Sequence, residues 1–94
     1  MKAILWNEEK DAALRANPDR SGIGLAECAK AITEGRILDI IANTSANHVG
    51  QRVFILNFAG YAYCVPFVED ETHIFLKTLY PSRYHTALYL EKRQ

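Results

Sequence analysis

Lys77, Tyr80, Ser82, Arg83 and His85 follow one another along a short stretch of this 94-residue chain, and their types are those that phosphate chemistry uses. A guanidinium offers a planar fork of N–H donors that matches phosphate oxygens. Arg83 stands directly after Pro81 and Ser82, a helix start whose unpaired amides attract anions. Lys77 is a cation set among Phe75, Leu76 and Leu79. Strand alternation would put His73, Phe75, Lys77 and Leu79 on one face, too apolar for a plainly solvated surface. Imidazole is the side chain whose unperturbed titration falls near neutral pH, so His85 could act as acid or base, although two residues after Arg83 on a helix it need not face the same way. Each has a bland counterpart. Arg83 can pair with Glu69, Asp70 or Glu71, and Lys77 can be a lysine that keeps an edge strand from aggregating.

Weaker candidates surround these. Tyr61, Tyr63 and Tyr80 could stack bases or donate a hydroxyl, but tyrosines at strand spacing more often pack across strands. Arg52 opens a strand after a polar loop, as a further phosphate contact or a strand-edge cation. His48 and His73 read as solvated loop and turn residues. The acidic run Glu69–Glu71 projects its three carboxylates in different directions, which suits a solvated turn better than a metal site. Cys28 and Cys64 show no zinc spacing and no CxxC, so two buried free thiols are expected rather than a disulfide.

Composition sets the frame for these residues. With 49% apolar and 23% charged residues the chain is an ordinary globular sequence of single-domain size, expected to be soluble. The apolar start at Met1–Trp6 runs straight into charge, too short for a signal peptide or a membrane span, so the cytosol is the expected compartment. Net charge is zero but unevenly spread: Lys77, Arg83, Lys92 and Arg93 face Glu91 alone near the end, making that end the basic pole. This falls short of the strongly basic stripe of bulk nucleic-acid binding, so any RNA contact must depend on a few placed residues.

The elements that must position them follow from period and punctuation. Ala3–Trp6 reads as a strand, and Asn7 as the N-cap of a helix with Glu8 and Glu9 in its first turn, ending near Asn17-Pro18. After a loop over Asn17–Gly24, Leu25, Cys28, Ala29 and Ile32 form the stripe of a second helix that Gly35 closes in a left-handed cap. Ile37–Ile41 is a strand, Asn43–Gly50 a polar loop, and Val53–Phe58 with Tyr61–Phe67 a tight hairpin pairing Phe58 with Tyr61, Leu56 with Tyr63 and Phe54 with Val65. Pro66 implies an outward amide, a bulge or the end of pairing. His73–Leu79 is the last strand, and Ser82 caps a final helix in which Tyr84, Ala87 and Leu88 share a face. The order β-α-α-β-β-β-β-α predicts an α+β domain: a small antiparallel sheet of about four strands, with two N-terminal helices and one C-terminal helix packed against one face.

Several of these segments together carry a family resemblance. Trp6-Asn-Glu-Glu-Lys10, Ala31-Ile-Thr-Glu-Gly-Arg-Ile-Leu-Asp-Ile-Ile41, Gln51-Arg52, Gly60-Tyr-Ala-Tyr-Cys-Val-Pro-Phe-Val-Glu-Asp70, Phe75-Leu-Lys-Thr78 and Pro81-Ser-Arg83 resemble the BrnT-like small bacterial toxins of the RelE/ParE superfamily. The resemblance implies a RelE-like α+β fold and a metal-independent, cofactor-free mRNA endoribonuclease, acting on or off the ribosome. It also implies a cognate antitoxin as partner in a type II toxin–antitoxin system, and leaves a homo-oligomer open. In such an enzyme Arg83, Lys77, His85 and Tyr80 would be catalytic, and Arg52, Tyr61, Tyr63 and Ser82 would contact RNA. RNA cleaves itself when its 2′-OH attacks the adjacent phosphate, so the protein must supply a base, a cation on the phosphoryl oxygens and an acid for the leaving oxygen. The chain departs from the family after Pro81-Ser-Arg83, with Tyr84, His85, Ala87 and Leu88 where the family is usually more basic. A non-catalytic relative that only binds a partner such as an antitoxin is the alternative.

Overall fold

A computed structural model describes residues 2–43 and 50–91. His48 and Val49, within the polar loop, and Lys92 and Arg93 of the basic pole lie outside the described residues. Strand β1 is Ala3–Trp6, helix α1 Glu8–Ala16 and helix α2 Leu25–Thr33, with a 3-10 turn at Pro18–Arg20 between the helices. The Asn7 side chain caps α1 by accepting from the Lys10 N–H at 2.9 Å, and Gly35 follows α2 at φ 79°. The start of α2 has no capping side chain of its own, because its N-cap is Gly24. Two acids do the work instead: Asp11 of α1 accepts from the buried Leu25 N–H at 2.5 Å, and Glu27 accepts from the Gly24 N–H at 3.0 Å. A Cβ on Gly24 would overlap the Asp11 carboxylate, so the close approach that brings α1 to the head of α2 depends on glycine.

Strands β2 (Ile37–Ala42), β3 (Arg52–Phe58) and β4 (Tyr61–Glu69) form a meander. The hairpin has the expected register, with Phe58 opposite Tyr61, Leu56 opposite Tyr63 and Phe54 opposite Val65. Its two-residue turn places Ala59 and Gly60 at positive φ (53° and 85°), and Asn57 Oδ1 holds the turn by accepting from the Gly60 N–H at 2.9 Å. The last strand differs from expectation. It splits into β5 (His73–Leu76) and a short β6 (Tyr80–Pro81), before helix α3 at Arg83–Leu90. Pro66 lies between the parts of β4 that these two pair with, β5 meeting Phe67–Glu69 and β6 meeting Tyr63 and Cys64, so its missing amide interrupts one side of the ladder.

The sheet is larger and less uniform than predicted. Its order is β1-β5-β4-β3-β2 with β6 beside β4, and β1 runs parallel to β5. The domain is α+β with a mixed sheet, rather than an antiparallel sheet of about four strands. Nor do the helices share one face. Side chains alternate along β3 and β4: Phe54, Leu56, Tyr63, Val65 and Phe67 join Leu14, Leu25, Cys28 and Ala31 in the main core under α1 and α2, while Val53, Ile55, Ala62 and Cys64 pack with Tyr89 and Leu90 of α3. In α3, Tyr84 and Leu88 are 70% and 45% exposed, and it is Thr86 that is buried. The reason is a polar anchor: Thr86 Oγ1 accepts from the Ala62 N–H at 2.8 Å and donates to the Ser82 carbonyl at 2.7 Å, which turns the Tyr84–Leu88 stripe to solvent. Among the described residues no helix is long and apolar enough to cross a membrane.

Candidate functional site

The richest polar cluster forms where β6 meets the start of α3. Ser82 Oγ accepts from the His85 N–H at 3.1 Å, as an N-cap does, and also lies 2.8 Å from His85 Nδ1. Cys64 Sγ lies 3.5 Å from the same nitrogen. Tyr80 stands opposite Cys64 in the β4–β6 pairing. Burial pushes the Cys64 thiol up, partly offset by hydrogen bonds with Ser82 and Tyr80. It is therefore a protonated member of the cluster and not a thiolate nucleophile. Burial, and then the thiol beside it, likewise raise the Tyr80 hydroxyl. The His85 ring is framed by Tyr84 edge-on (5.0 Å, 87°) and by Tyr89 stacked parallel (6.2 Å, 7°). The Tyr89 hydroxyl donates to the Asp39 carboxylate, which holds that carboxylate below its ordinary range and raises the phenol.

Arg83 occupies the first turn of α3, is exposed, and makes no ion pair among the described residues. Of the acids that could have neutralised it, Glu69 and Asp70 are engaged elsewhere, and the exposed Glu71 forms no ion pair among the described residues. Glu69 pairs with Lys2 at 2.5 Å and with Arg52, and Asp70 Oδ1 accepts from the backbone N–H groups of Thr72 (2.8 Å) and His73 (2.7 Å), which depresses its pKa. Arg83 therefore has no ion-pair partner among the described residues, whereas Arg52 pairs with Glu69 and rests its guanidinium 5.3 Å from the Phe67 ring centre.

Lys77 does not join this cluster. With the strand ending at Leu76, the parity expected for 73–79 breaks: Leu79 is fully buried in the main core, while Lys77 is exposed with its Nζ 5.3 Å from the Phe75 ring centre. Lys77 lines a cavity of about 520 Å³ with Asn7, Glu9 and Lys10 at the start of α1. No contact joins it to Ser82, Arg83 or His85 among the described residues. His73, expected in a turn, opens β5 opposite Ala3, its Nδ1 2.8 Å from Thr72 Oγ1.

Tyr61 and Tyr63 lie on the sheet face opposite to Cys64. Tyr63 is buried, edge-on to Phe58 (5.5 Å, 86°) and near-perpendicular to Tyr61 (6.0 Å, 69°). Together with Pro81, Ser21 and Asp19 these rings line a cavity of about 570 Å³. A larger cavity, about 660 Å³, opens between β1 and α2 and holds Trp6, whose buried Nε1–H has no partner among the described residues; Ile4, Ala29, Ile32 and Ile74 line it with Lys2, Lys30, Thr33 and Glu34, and it contains none of the candidate site residues.

Sequence reasoning missed Cys64, Tyr89 and Asp39 as members of the cluster. Tyr89 could have been found, since it lies four residues after His85 and therefore on the same helical face. Asp39 could not, because fifty residues separate it from Tyr89 and only the sheet brings them together. Comparison of the chain with protein-family models, with curated proteins and with solved structures finds no match.

Proposed function

We propose that the chain is a metal-independent endoribonuclease acting on mRNA, the toxin of a type II toxin–antitoxin pair in the cytoplasm, with an antitoxin as its restraining partner. One observation carries the reading: an exposed Arg83, without an ion-pair partner among the described residues, opens α3 directly after Ser82, in a stretch of chain that also brings Tyr80 and His85 into one polar cluster. Arg83 holds the non-bridging phosphoryl oxygens as charge builds on them. Ser82 Oγ can accept from His85 Nδ1–H, and that tautomer leaves a lone pair on Nε2. Nε2 then takes the 2′-OH proton as the 2′-oxygen bonds to phosphorus. The P–O5′ bond breaks, Tyr80 gives its proton to the leaving oxygen, and a 2′,3′-cyclic phosphate remains. Proton exchange with water resets the imidazolium and the phenolate.

The test is induced expression of this chain beside Arg83→Ala, with growth and mRNA cleavage sites followed by primer extension. Arrest with discrete cuts that vanish in the variant supports the reading. A second reading, a partner-binding module without turnover, is favoured by Tyr84 and Leu88, which share a face of α3 and are 70% and 45% exposed. Normal growth with intact mRNA and abundant folded protein would select it.

A further inference from the structure

The geometry points to a guanine-binding pocket between Phe58, Tyr61, Tyr63 and Pro81, with Asp19 as the residue that chooses the base. The inference rests on the nucleic-acid reading above and adds a specificity that the reading does not contain. At about 570 Å³ the cavity falls in the size range of small-ligand sites. Its walls are aromatic and its rim is polar, the combination that suits a flat heterocycle with hydrogen-bonding edges. Tyr63 is buried and held by edge contacts from Phe58 and Tyr61, so its ring is already positioned, while the half-buried Tyr61 offers a stacking surface.

The rim supplies the discrimination. Asp19 is exposed, and its carboxylate has no hydrogen-bond or ion-pair partner among the described residues; only its backbone N–H is engaged, donating to Asn17 Oδ1 at 2.9 Å. A carboxylate has acceptors alone. On their pairing edges adenine and cytosine set an acceptor beside the exocyclic amine and uracil flanks one N–H with carbonyls, whereas guanine presents a ring N–H next to an amine N–H. Two adjacent donors facing two carboxylate oxygens is the one base edge that fits in bidentate fashion. The negative charge also disfavours a phosphate in the pocket, leaving phosphate to Arg83. Pro81 lines the pocket two residues before Arg83, at most about 7 Å of extended chain, a span that one nucleotide can bridge.

The test titrates the folded protein with GMP, AMP, CMP and UMP by calorimetry, and then with the trinucleotides 5′-UGU-3′ and 5′-UAU-3′. GMP should bind about tenfold tighter than the other three, the discrimination that one good bidentate pair provides. Asp19→Asn, which replaces one acceptor by a donor, should lose the guanine preference and gain for AMP, since an amide matches adenine. Tyr61→Leu should weaken all four alike. UGU binding tighter than GMP, with the gain lost in Arg83→Ala, supports RNA as the source of the base; UGU and GMP binding equally would overturn it. Equal affinity for the four nucleotides, binding of none, or an unaltered guanine preference in Asp19→Asn would each overturn the pocket. A preserved GMP preference in a protein that cuts no RNA would remove the nuclease reading and leave the pocket standing.

Discussion

Asp11 is the residue whose loss the fold should feel most, relative to its ordinary appearance in the sequence. Its carboxylate is buried against the head of α2, where it accepts from the Leu25 N–H, and Leu25 is itself fully buried. Replacing Asp11 by Ala removes the acceptor of that buried N–H. An orphaned buried donor costs about 1–3 kcal/mol, and the lost negative charge at the positive end of α2 adds about 0.3–1 kcal/mol. Against this, alanine improves the propensity of α1 by up to about 0.7 kcal/mol, so the net loss should be about 2 kcal/mol. In a domain of this size that corresponds to roughly 8–16 °C in Tm. The companion Arg15 lies near enough to pair, at 3.2 Å, but its side chain is 40% exposed and screened by solvent, so Arg15→Ala should do much less. Asp11→Asn keeps one acceptor oxygen and should fall between the two. Urea unfolding followed by circular dichroism gives all three numbers. If Arg15→Ala costs as much as Asp11→Ala, or Asp11→Ala costs under about 0.5 kcal/mol, the cap is not what holds α1 to α2.

Two pH effects follow from other buried or paired groups. Burial pushes the Cys28 thiol up to about 12, above the 9.0 of an exposed thiol, so its contribution is fully present below pH 9 and drains away as pH rises towards 12. At pH 11 the loss should reach about 2–3 kcal/mol, and Cys28→Ala should flatten that alkaline limb in urea titrations at pH 8 to 11. Glu27 is shifted the other way: the hydrogen bond from Arg15 first, and then the Gly24 N–H, hold its carboxyl below 4.5, so its stabilisation is present above that pH and is lost as pH falls further. Glu27→Gln should show a shallower loss of Tm between pH 5 and 3 than the parent chain does.

Local chemistry made part of this architecture legible from sequence. The Asn7 cap, the Gly35 stop, the Ser82 cap and the Phe58–Tyr61 hairpin each depend on residues adjacent in the chain, and each stands as read. What was not legible depends on distance. The parallel seat of β1 against β5 joins Ala3 to His73, which no local pattern encodes. The apolar run from Ile74 to Leu79 contains no turn residue to announce that β5 stops at Leu76, yet that stop separates Lys77 from the Arg83 cluster. The orientation of α3 is set by a threonine bonding to a strand amide, a polar anchor that outweighs the apolar look of Tyr84 and Leu88.

The seat of β1 at the edge of the sheet also fixes an order of events during synthesis. Its partner strand begins seventy residues downstream, and at about 5–20 residues per second a ribosome needs roughly 4–14 s to reach it. Through that interval Ile4 and Trp6 have no partner strand to join, whereas β2, β3 and β4 each find their partners among neighbours in the chain. Arg83 and His85 emerge later still. A growing chain therefore carries an unfinished sheet edge well before it carries the residues of the proposed site.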